Sequence, residues 1–259
     1  MWKGIFMSAE TADWQNRTRL LTGDEGMDRL SRAHVLVIGL GGVGGIAAEM
    51  IARAGIGKMT IADGDVFEAS NRNRQIGALL STAGRSKTEV MAERLRDIHP
   101  ELELETVNAY LKNETMTALL DQAPYDCVLD AIDSLSPKVQ LLCHCVRKKI
   151  PVISCMGSGA RLDPELVRCA DISKTEHCTL ARAVRHKLKK EGITGGIPVI
   201  FSPEDPVPGS VIGCNETEDG KSVMGTISYM PAIFGCHCAA AVIRTLLNGC
   251  DGTCRPDCV

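Results

Sequence analysis

The sequence predicts an α/β fold built on a doubly wound, mostly parallel sheet with a C-terminal extension, and three observations predict it. An apolar run from His34 ends at Gly39 and passes through glycine turns into a helical pattern over Ile46 to Ala54, the order of a phosphate-binding strand, turn and helix. Further apolar runs alternate with helical patterns at a spacing that demands right-handed crossovers and parallel pairing. With 259 residues, 44% of them hydrophobic, the chain can bury a sizeable core.

In chain order, Met1 to Asn16 reads as a loose tail and Thr22 to Leu30 as a short helix, with Arg17 and Arg19 just ahead of it. Lys58 to Ala62 is a second strand, and it delivers Asp63 twenty-four residues after Gly39 (63 − 39), near the spacing at which an acid meets ribose hydroxyls. Asp63 to Gln75 is too polar and too punctuated by glycine and asparagine for a regular element, so it is expected as a loop at the carboxyl end of the sheet. A helix over Gly84 to Ile98 carries Val90, Met91, Leu95 and Ile98 on one face and Lys87 in its first turn. A cation there opposes the helix dipole, so an anionic partner or an excursion to the surface is expected.

Leu102 to Val107 is a strand, Glu114 to Asp121 a helix, and Asp126 to Asp130 a strand whose end, Asp130-Ala-Ile-Asp133, puts Asp133 at the carboxyl edge. Pro137 to Lys149 is a helix and Pro151 to Cys155 a strand. Past Gly157-Ser-Gly159 the rhythm changes. Glu165 to Ala170 and Ile197 to Ser202 read as strands, Thr179 to Glu191 as a basic helix, and Pro203 to Lys221 mostly as loop. Met230 to Asn248 is an apolar helix of small residues, short and interrupted for a membrane span and better suited to burial or a dimer face.

The expected division is a tail over 1–16, one adenylating-type domain with its extension over 17–249, and a cysteine-containing tail over 250–259. The first fifteen residues carry Glu10 and Asp13 and lack the continuous apolar stretch of a secretory signal, so a cytoplasmic location with reduced thiols is expected for the twelve cysteines. Cys143-x-Cys145, Cys236-x-Cys238 and the Cys250, Cys254, Cys258 series lack the spacing of a zinc site. Cys178, ahead of the basic helix, has no neighbour in sequence that would lower its pKa.

The polar loop and the two carboxyl-edge acids decide between nucleotide chemistries. Hydride transfer needs room for a nicotinamide and a proton donor near the sheet edge, and this region offers neither clearly. It offers Gly39, Gly41, Gly42 and Gly44 for a phosphate turn, Asp63 and Asp65, then Asn73, Arg74, Lys87 and Asp133. That set suits a triphosphate: an acid for ribose, cations for phosphate oxygens, and Asp133 for Mg²⁺.

Gly39-Leu-Gly-Gly-Val-Gly44, Asp63-x-Asp65 followed by Asn71-x-Asn73-Arg74-Gln75, Lys87 and Asp130-Ala-Ile-Asp133 together resemble the Rossmann-like adenylating domain of the ubiquitin-activating superfamily, of ThiF and MoeB type. Within it, Arg17-Thr-Arg19-Leu-Leu-Thr-Gly, Met91-Ala-Glu-Arg-Leu-Arg-Asp-Ile-His-Pro100 and Asp171-Ile-Ser-Lys-Thr-Glu176 are most similar to the tRNA threonylcarbamoyladenosine dehydratases, and the resemblance runs from about Arg17 to Asn248. It implies ATP-dependent adenylation of the threonine carboxylate of a modified adenosine beside the tRNA anticodon, then ring closure with loss of AMP. By the same resemblance Gly39, Gly41, Gly42 and Gly44 line the phosphate turn, Asp63 and Asp65 belong to the nucleotide site, and Asn73, Arg74 and Lys87 hold phosphates. Asp133 positions Mg²⁺ and pyrophosphate, and Arg19 reaches the ATP of a partner subunit, which implies a homodimer. Room is left for a monovalent cation and for a sulfur-transfer or desulfurase-type partner protein.

Two other functions fit parts of the sequence. An activator of a ubiquitin-like sulfur carrier shares the ATP motifs, but its relatives often hold zinc with two Cys-x-x-Cys pairs, which are missing here. A regulatory nucleotide sensor would need neither Lys87 nor Asp133. Arg182, Arg185, Lys187, Lys189 and Lys190, with Arg147, Lys148, Lys149, Arg161 and Arg168, make the second half more basic than the net charge of −3 implies. A charge run on a helix is by default a solvated face, yet such asymmetry can mark a nucleic-acid footprint. With only 3% aromatic residues, extensive base stacking is not expected.

Overall fold

The structure is a computed structural model, and it describes residues 14–213 and 223–249. The tails over 1–13 and 250–259, Cys250, Cys254 and Cys258 among them, and the centre of the acidic loop lie outside the described residues.

Seven strands form one sheet: β1 (His34–Ile38), β2 (Lys58–Ala62), β3 (Glu103–Val107), β4 (Cys127–Asp130), β5 (Val152–Cys155), β6 (Arg168–Asp171) and β7 (Pro198–Phe201), in the spatial order β3-β2-β1-β4-β5-β7-β6. The pairs are parallel, β1 on both β2 and β4, except that β6 runs antiparallel to β7 at one edge. The expected strand over Glu165 to Ala170 is thus displaced. Pro164–Leu166 forms a 3-10 turn instead, because Asp163 caps Glu165 N–H, and pairing starts at Arg168.

The central strands are buried on both faces, as a parallel sheet covered by helices requires. Val35 and Val37 of β1 pack with α2 (Gly44–Arg53), α3 (Lys87–Ile98) and α7 (Tyr229–Asn248). Leu36 and Ile38 face the other way, toward α4 (Glu114–Leu120), α5 (Leu135–Lys148) and α6 (Thr179–Lys190). The alternation follows from the two-residue period of a strand, and it makes a three-layer α/β/α sandwich. α7 has the length and composition of a membrane span, with half of its apolar window buried inside the fold, where Met230, Phe234, Cys238 and Val242 join the core. Gly235 lets it close on α2, since a Cβ there would stand 2.7 Å from Val43 O.

The N-terminal helix differs from expectation. α1 (Asn16–Arg32) begins earlier than Thr22 and is broken at Gly23 (φ 71°, ψ 175°), so Arg17 and Arg19 lie on a first helical arm rather than ahead of the helix. The nominally loop-like stretch after Pro203 includes a short antiparallel pair, β8 (Val211–Ile212) with β9 (Val223–Met224).

Between β1 and β4 the chain order reverses, which opens a crevice at their carboxyl ends. Gly39 and Gly44 fill it. A Cβ on Gly44 would lie 1.7 Å from Gly39 O and 3.1 Å from Ala131 Cβ, and one on Gly39 would lie 2.7 Å from Ala131 O. Gly44→Ala is therefore expected to force the turn open at a cost of about 1–3 kcal/mol. That is several degrees of Tm in a calorimetric or fluorescence melt, at about 2–4 °C per kcal/mol for a domain of this size. Gly45→Ala is the control: its Cβ would have no neighbour nearer than 3.5 Å and should melt close to wild type.

Candidate functional site

The glycine turn from Gly39 to Gly44 enters α2, whose N-terminus has no side-chain cap. A helix N-terminus is the positive end of the helix dipole, and here it lies at the glycine turn. Asp63 follows β2 and braces the turn: its Oδ2 accepts Leu40 N–H at 2.7 Å and its Oδ1 accepts Asp65 N–H at 2.8 Å. The acid expected at the ribose is thus also a structural clasp between the first two strands.

Lys87 opens α3 behind an Ser86 cap. The anionic partner expected for it is Asp65, whose Oδ2 accepts from Nζ at 3.0 Å, and the lysine is almost fully buried while Asp65 is half-exposed. Tyr110, in the loop after β3, donates its hydroxyl to the other oxygen of Asp65 at 2.7 Å, and that bond holds the phenol pKa above its ordinary value. Tyr110 was not legible beforehand, since it lies outside the motifs. Its ring, 70% exposed, stands at the sheet edge beside Gly64, whose Cβ would collide with Tyr110 N at 2.6 Å.

The polar stretch after β2 folds into turns rather than a free loop, with a 3-10 turn at Ala69–Asn71. Arg74 Nη1 donates to Asn73 Oδ1 at 2.8 Å and to Ser70 O at 3.1 Å, and Asn73 Nδ2 donates to Thr226 O at 2.9 Å. This stretch lies against the glycine turn, because a Cβ on Gly42 would meet Arg74 O at 3.2 Å and one on Gly41 would find Gln75 Nε2 nearest at 3.9 Å. Gln75 is buried, and its Oε1 has no hydrogen-bond partner among the described residues. Asp133 is exposed at the opposite lip, after β4, where Ser134 Oγ donates to its Oδ1 at 3.1 Å.

Asp63, Asp65 and Lys87 are thus linked through hydrogen bonds to the turn that holds Gly39, Gly41, Gly42 and Gly44, Asn73 and Arg74 belong to the stretch beside it, and Asp133 follows the end of β4, the strand paired with β1. Arg19 does not share their elements. It sits on the first arm of α1, where Nη1 donates to Asp24 Oδ1 at 2.6 Å, next to the exposed Leu20 and Leu21.

The chain matches the ThiF family over residues 15–256. It belongs to that family. Among its ThiF-family relatives, the tRNA threonylcarbamoyladenosine dehydratase of Bacillus subtilis is 38% identical over 240 residues, 90% of this chain and 94% of the relative. A crystal structure of the Escherichia coli tRNA N6-threonylcarbamoyladenosine dehydratase in complex with ATP superposes with a TM-score of 0.82 at 32% identity, covering 94% of this chain and 98% of that one. The molybdopterin-synthase adenylyltransferase of Salmonella typhimurium is 37% identical, but over 153 residues, 58% of this chain.

Three cysteines singled out by the sequence, Cys143, Cys145 and Cys178, are buried in the fold. Burial pushes the Cys145 thiol up to about 12 and raises that of Cys143. Cys178 is buried and caps α6, accepting Ala181 N–H at its Sγ. Thiols held protonated in apolar surroundings are poor nucleophiles.

The basic patch narrows. On α6, Ala181, Val184 and Leu188 face the core while Arg182, Lys187, Lys189 and Lys190 are exposed. Arg185 turns inward and donates to Thr175 O at 2.8 Å. Arg161 is buried and bonds the carbonyls of Gly157, Gly159 and His177. Arg168 pairs with Glu176 over the Phe201 ring, Arg147 with Glu191, and Lys148 with Asp121. Arg185 and Arg161 leave the footprint that composition alone had assigned them.

Proposed function

We propose that this protein is an ATP-dependent enzyme that activates and cyclises the threonylcarbamoyl carboxylate of a modified adenosine beside the tRNA anticodon, with net loss of water. The observation that carries this is similarity along nearly the whole chain, 90% of it, to a tRNA threonylcarbamoyladenosine dehydratase, where a sulfur-carrier activator is matched over little more than half. A cytoplasmic enzyme acting on tRNA also suits thiols that stay reduced.

The crevice has the donors that adenylation requires. A carboxylate is a poor electrophile because its leaving group would be oxide. Its oxygen attacks the α-phosphorus of ATP, the bond to the bridging oxygen breaks, and pyrophosphate leaves. The Arg74 guanidinium and Lys87 ammonium, with the N–H groups of α2, offset the charge that builds on the phosphates. The amide-like nitrogen of the same substrate then attacks the activated carbonyl, loses its proton and expels AMP. No protein nucleophile is needed, and proximity supplies much of the acceleration. Asp133, an exposed carboxylate just past β4, would hold Mg²⁺, which takes carboxylate and phosphate oxygens and would supply further neutralisation of phosphate charge when bound.

Lys87→Ala and Asp133→Ala are each expected to lower tRNA-dependent AMP formation ~10²-fold or more, the usual cost of losing one preorganised charge contact, while circular dichroism stays native. Wild-type AMP release from either variant would remove that residue from the site.

Arg19 acts across a homodimer, because its arm of α1, set apart by the break at Gly23, can extend to a second copy. Mixing Arg19→Ala with Asp133→Ala subunits under exchange should then restore part of the activity, since one composite site is intact. Absence of recovery in verified heterodimers would assign Arg19 to its own subunit.

Exposed α6 is the tRNA face, running from the carboxyl edge beside Gly157, where Leu180 Cβ and Cys178 Sγ approach within about 4 Å of a Cβ built there. Each phosphate contact releases counterions, with a log–log salt slope near −0.7 to −0.9 per contact. Replacing Arg182, Lys187, Lys189 and Lys190 by Glu should weaken tRNA binding and flatten the slope with ATP affinity unchanged. An unchanged slope would leave α6 as an ordinary solvated face.

A further inference from the structure

Lys138 sits in the first turn of α5, where a cation opposes the helix dipole, and it is fully buried. The local electrostatics therefore disfavour it twice. Its ammonium has three hydrogens and uses all of them: Nζ donates to Asp130 Oδ2 at 2.6 Å, to Ser154 Oγ at 3.3 Å and to Cys155 O at 2.9 Å. Asp130, at the end of β4 and equally buried, accepts Ser154 Oγ at 2.6 Å on the same oxygen and Ile132 N–H at 3.1 Å on Oδ1. The cluster is closed to solvent and to substrate, so it takes no part in the chemistry by contact.

Nor does stability explain it. Two ions moved from water to a dry interior cost several kcal/mol each, and replacement of such pairs by apolar groups of like volume is often neutral or stabilising. What the pair fixes is geometry. It ties β4, β5 and the first turn of α5 together at one point, and through Ile132 N–H it sets the reversal of the chain immediately after Asp130. That reversal carries Asp133 at its exposed end. At its near end Ala131 is the floor of the glycine turn, 2.7 Å from where a Gly39 Cβ would be. With Ala131 seated against Gly39, a turn free to shift by a fraction of an ångström would move its exposed end, Asp133.

We infer that Lys138, Asp130 and Ser154 are positioning residues that hold the Ala131–Ser134 turn so that Asp133 meets the phosphates; the inference rests on the role given to Asp133 above. The same fold contains a contrasting case. Lys87 is also a first-turn lysine paired with an aspartate, but Asp65 is half-exposed, so that pair can open to a ligand, whereas Lys138 cannot. One lysine serves the substrate and the other serves the frame.

The test compares a neutral double variant, Asp130→Asn with Lys138→Met, and the milder Ser154→Ala, which removes one hydroxyl, with wild type. In the double variant kcat for tRNA-dependent AMP formation should fall about 10–100-fold, the range seen for groups that orient reactive side chains, with KM for ATP nearly unchanged. Ser154→Ala should show the same pattern at a few-fold, and it carries the test if the double variant does not fold. Backbone amide exchange at Ile132 to Ser134 should quicken in the nucleotide-free protein while that of β1 stays protected, a readout independent of turnover. In an Asp133→Ala background the same substitutions should cost little further rate, since they act through that carboxylate.

A fully active double variant or Ser154→Ala, a loss confined to KM for ATP, unchanged exchange at Ile132 to Ser134, or an equal fold-loss with and without Asp133 would overturn the positioning role. Full activity of Asp133→Ala alone would overturn the role of Asp133, and the inference with it.

Discussion

Everything in the crevice depends on one close approach of two backbones. Gly39 and Gly44, at the carboxyl end of β1, lie against Ala131, just past β4, with no room for a side chain between them. That contact sets where α2 begins, and so where its uncapped N–H groups point. It also sets the height of the turn that carries Asp133. A phosphate site of this kind is less a collection of cations than a gap between two strands kept narrow by missing Cβ atoms.

Charge is arranged around that gap in two grades. Near the opening the ionic groups keep access to water: Asp65, half-exposed, is shared by Lys87 and Tyr110, Arg74 is held by Asn73 and Ser70 O, and Asp133 is exposed. These partners are side chains or carbonyls that can yield to phosphate oxygens. Beneath the opening, Asp130 and Lys138 are fully buried and fully bonded. The gradient follows from desolvation: an ion pair that must exchange partners has to keep some access to water, while one that must not move can be sealed.

Much of this was legible in the sequence, because the signals were local. The glycine spacing, the apolar runs and the asparagine-rich stretch after Asp63 each reflect constraints within a few residues, so strands and crossovers were readable and the candidates for the site could be named. The dipole conflict at Lys87 gave its anionic partner as one of two options, and Asp65 supplies it. The same rule applied to Lys138 would have flagged that lysine too. It passed unread because its partners, Asp130 of β4 and Ser154 of β5, come from two strands that meet it only in the folded protein. Tyr110 was hidden for the same reason, its loop meeting Gly64 only through strand pairing. Arg185 and Arg161 misled because composition counts charges without direction: one turns to Thr175 O, the other into a cage of carbonyls. The break at Gly23 has no periodic signal, so the first arm of α1 read as an irregular lead-in to the helix.

The central claim is that these groups act together on the carboxylate of a modified adenosine in tRNA. The direct measurement is mass spectrometry of nucleosides from tRNA carrying threonylcarbamoyladenosine, digested after incubation with the protein, ATP and Mg²⁺. The account predicts conversion of that nucleoside to a product lighter by one water, with AMP and pyrophosphate formed in equal amounts to it. An unaltered nucleoside, alongside ATP turnover stimulated by a peptide ending in Gly-Gly and indifferent to tRNA, would contradict it.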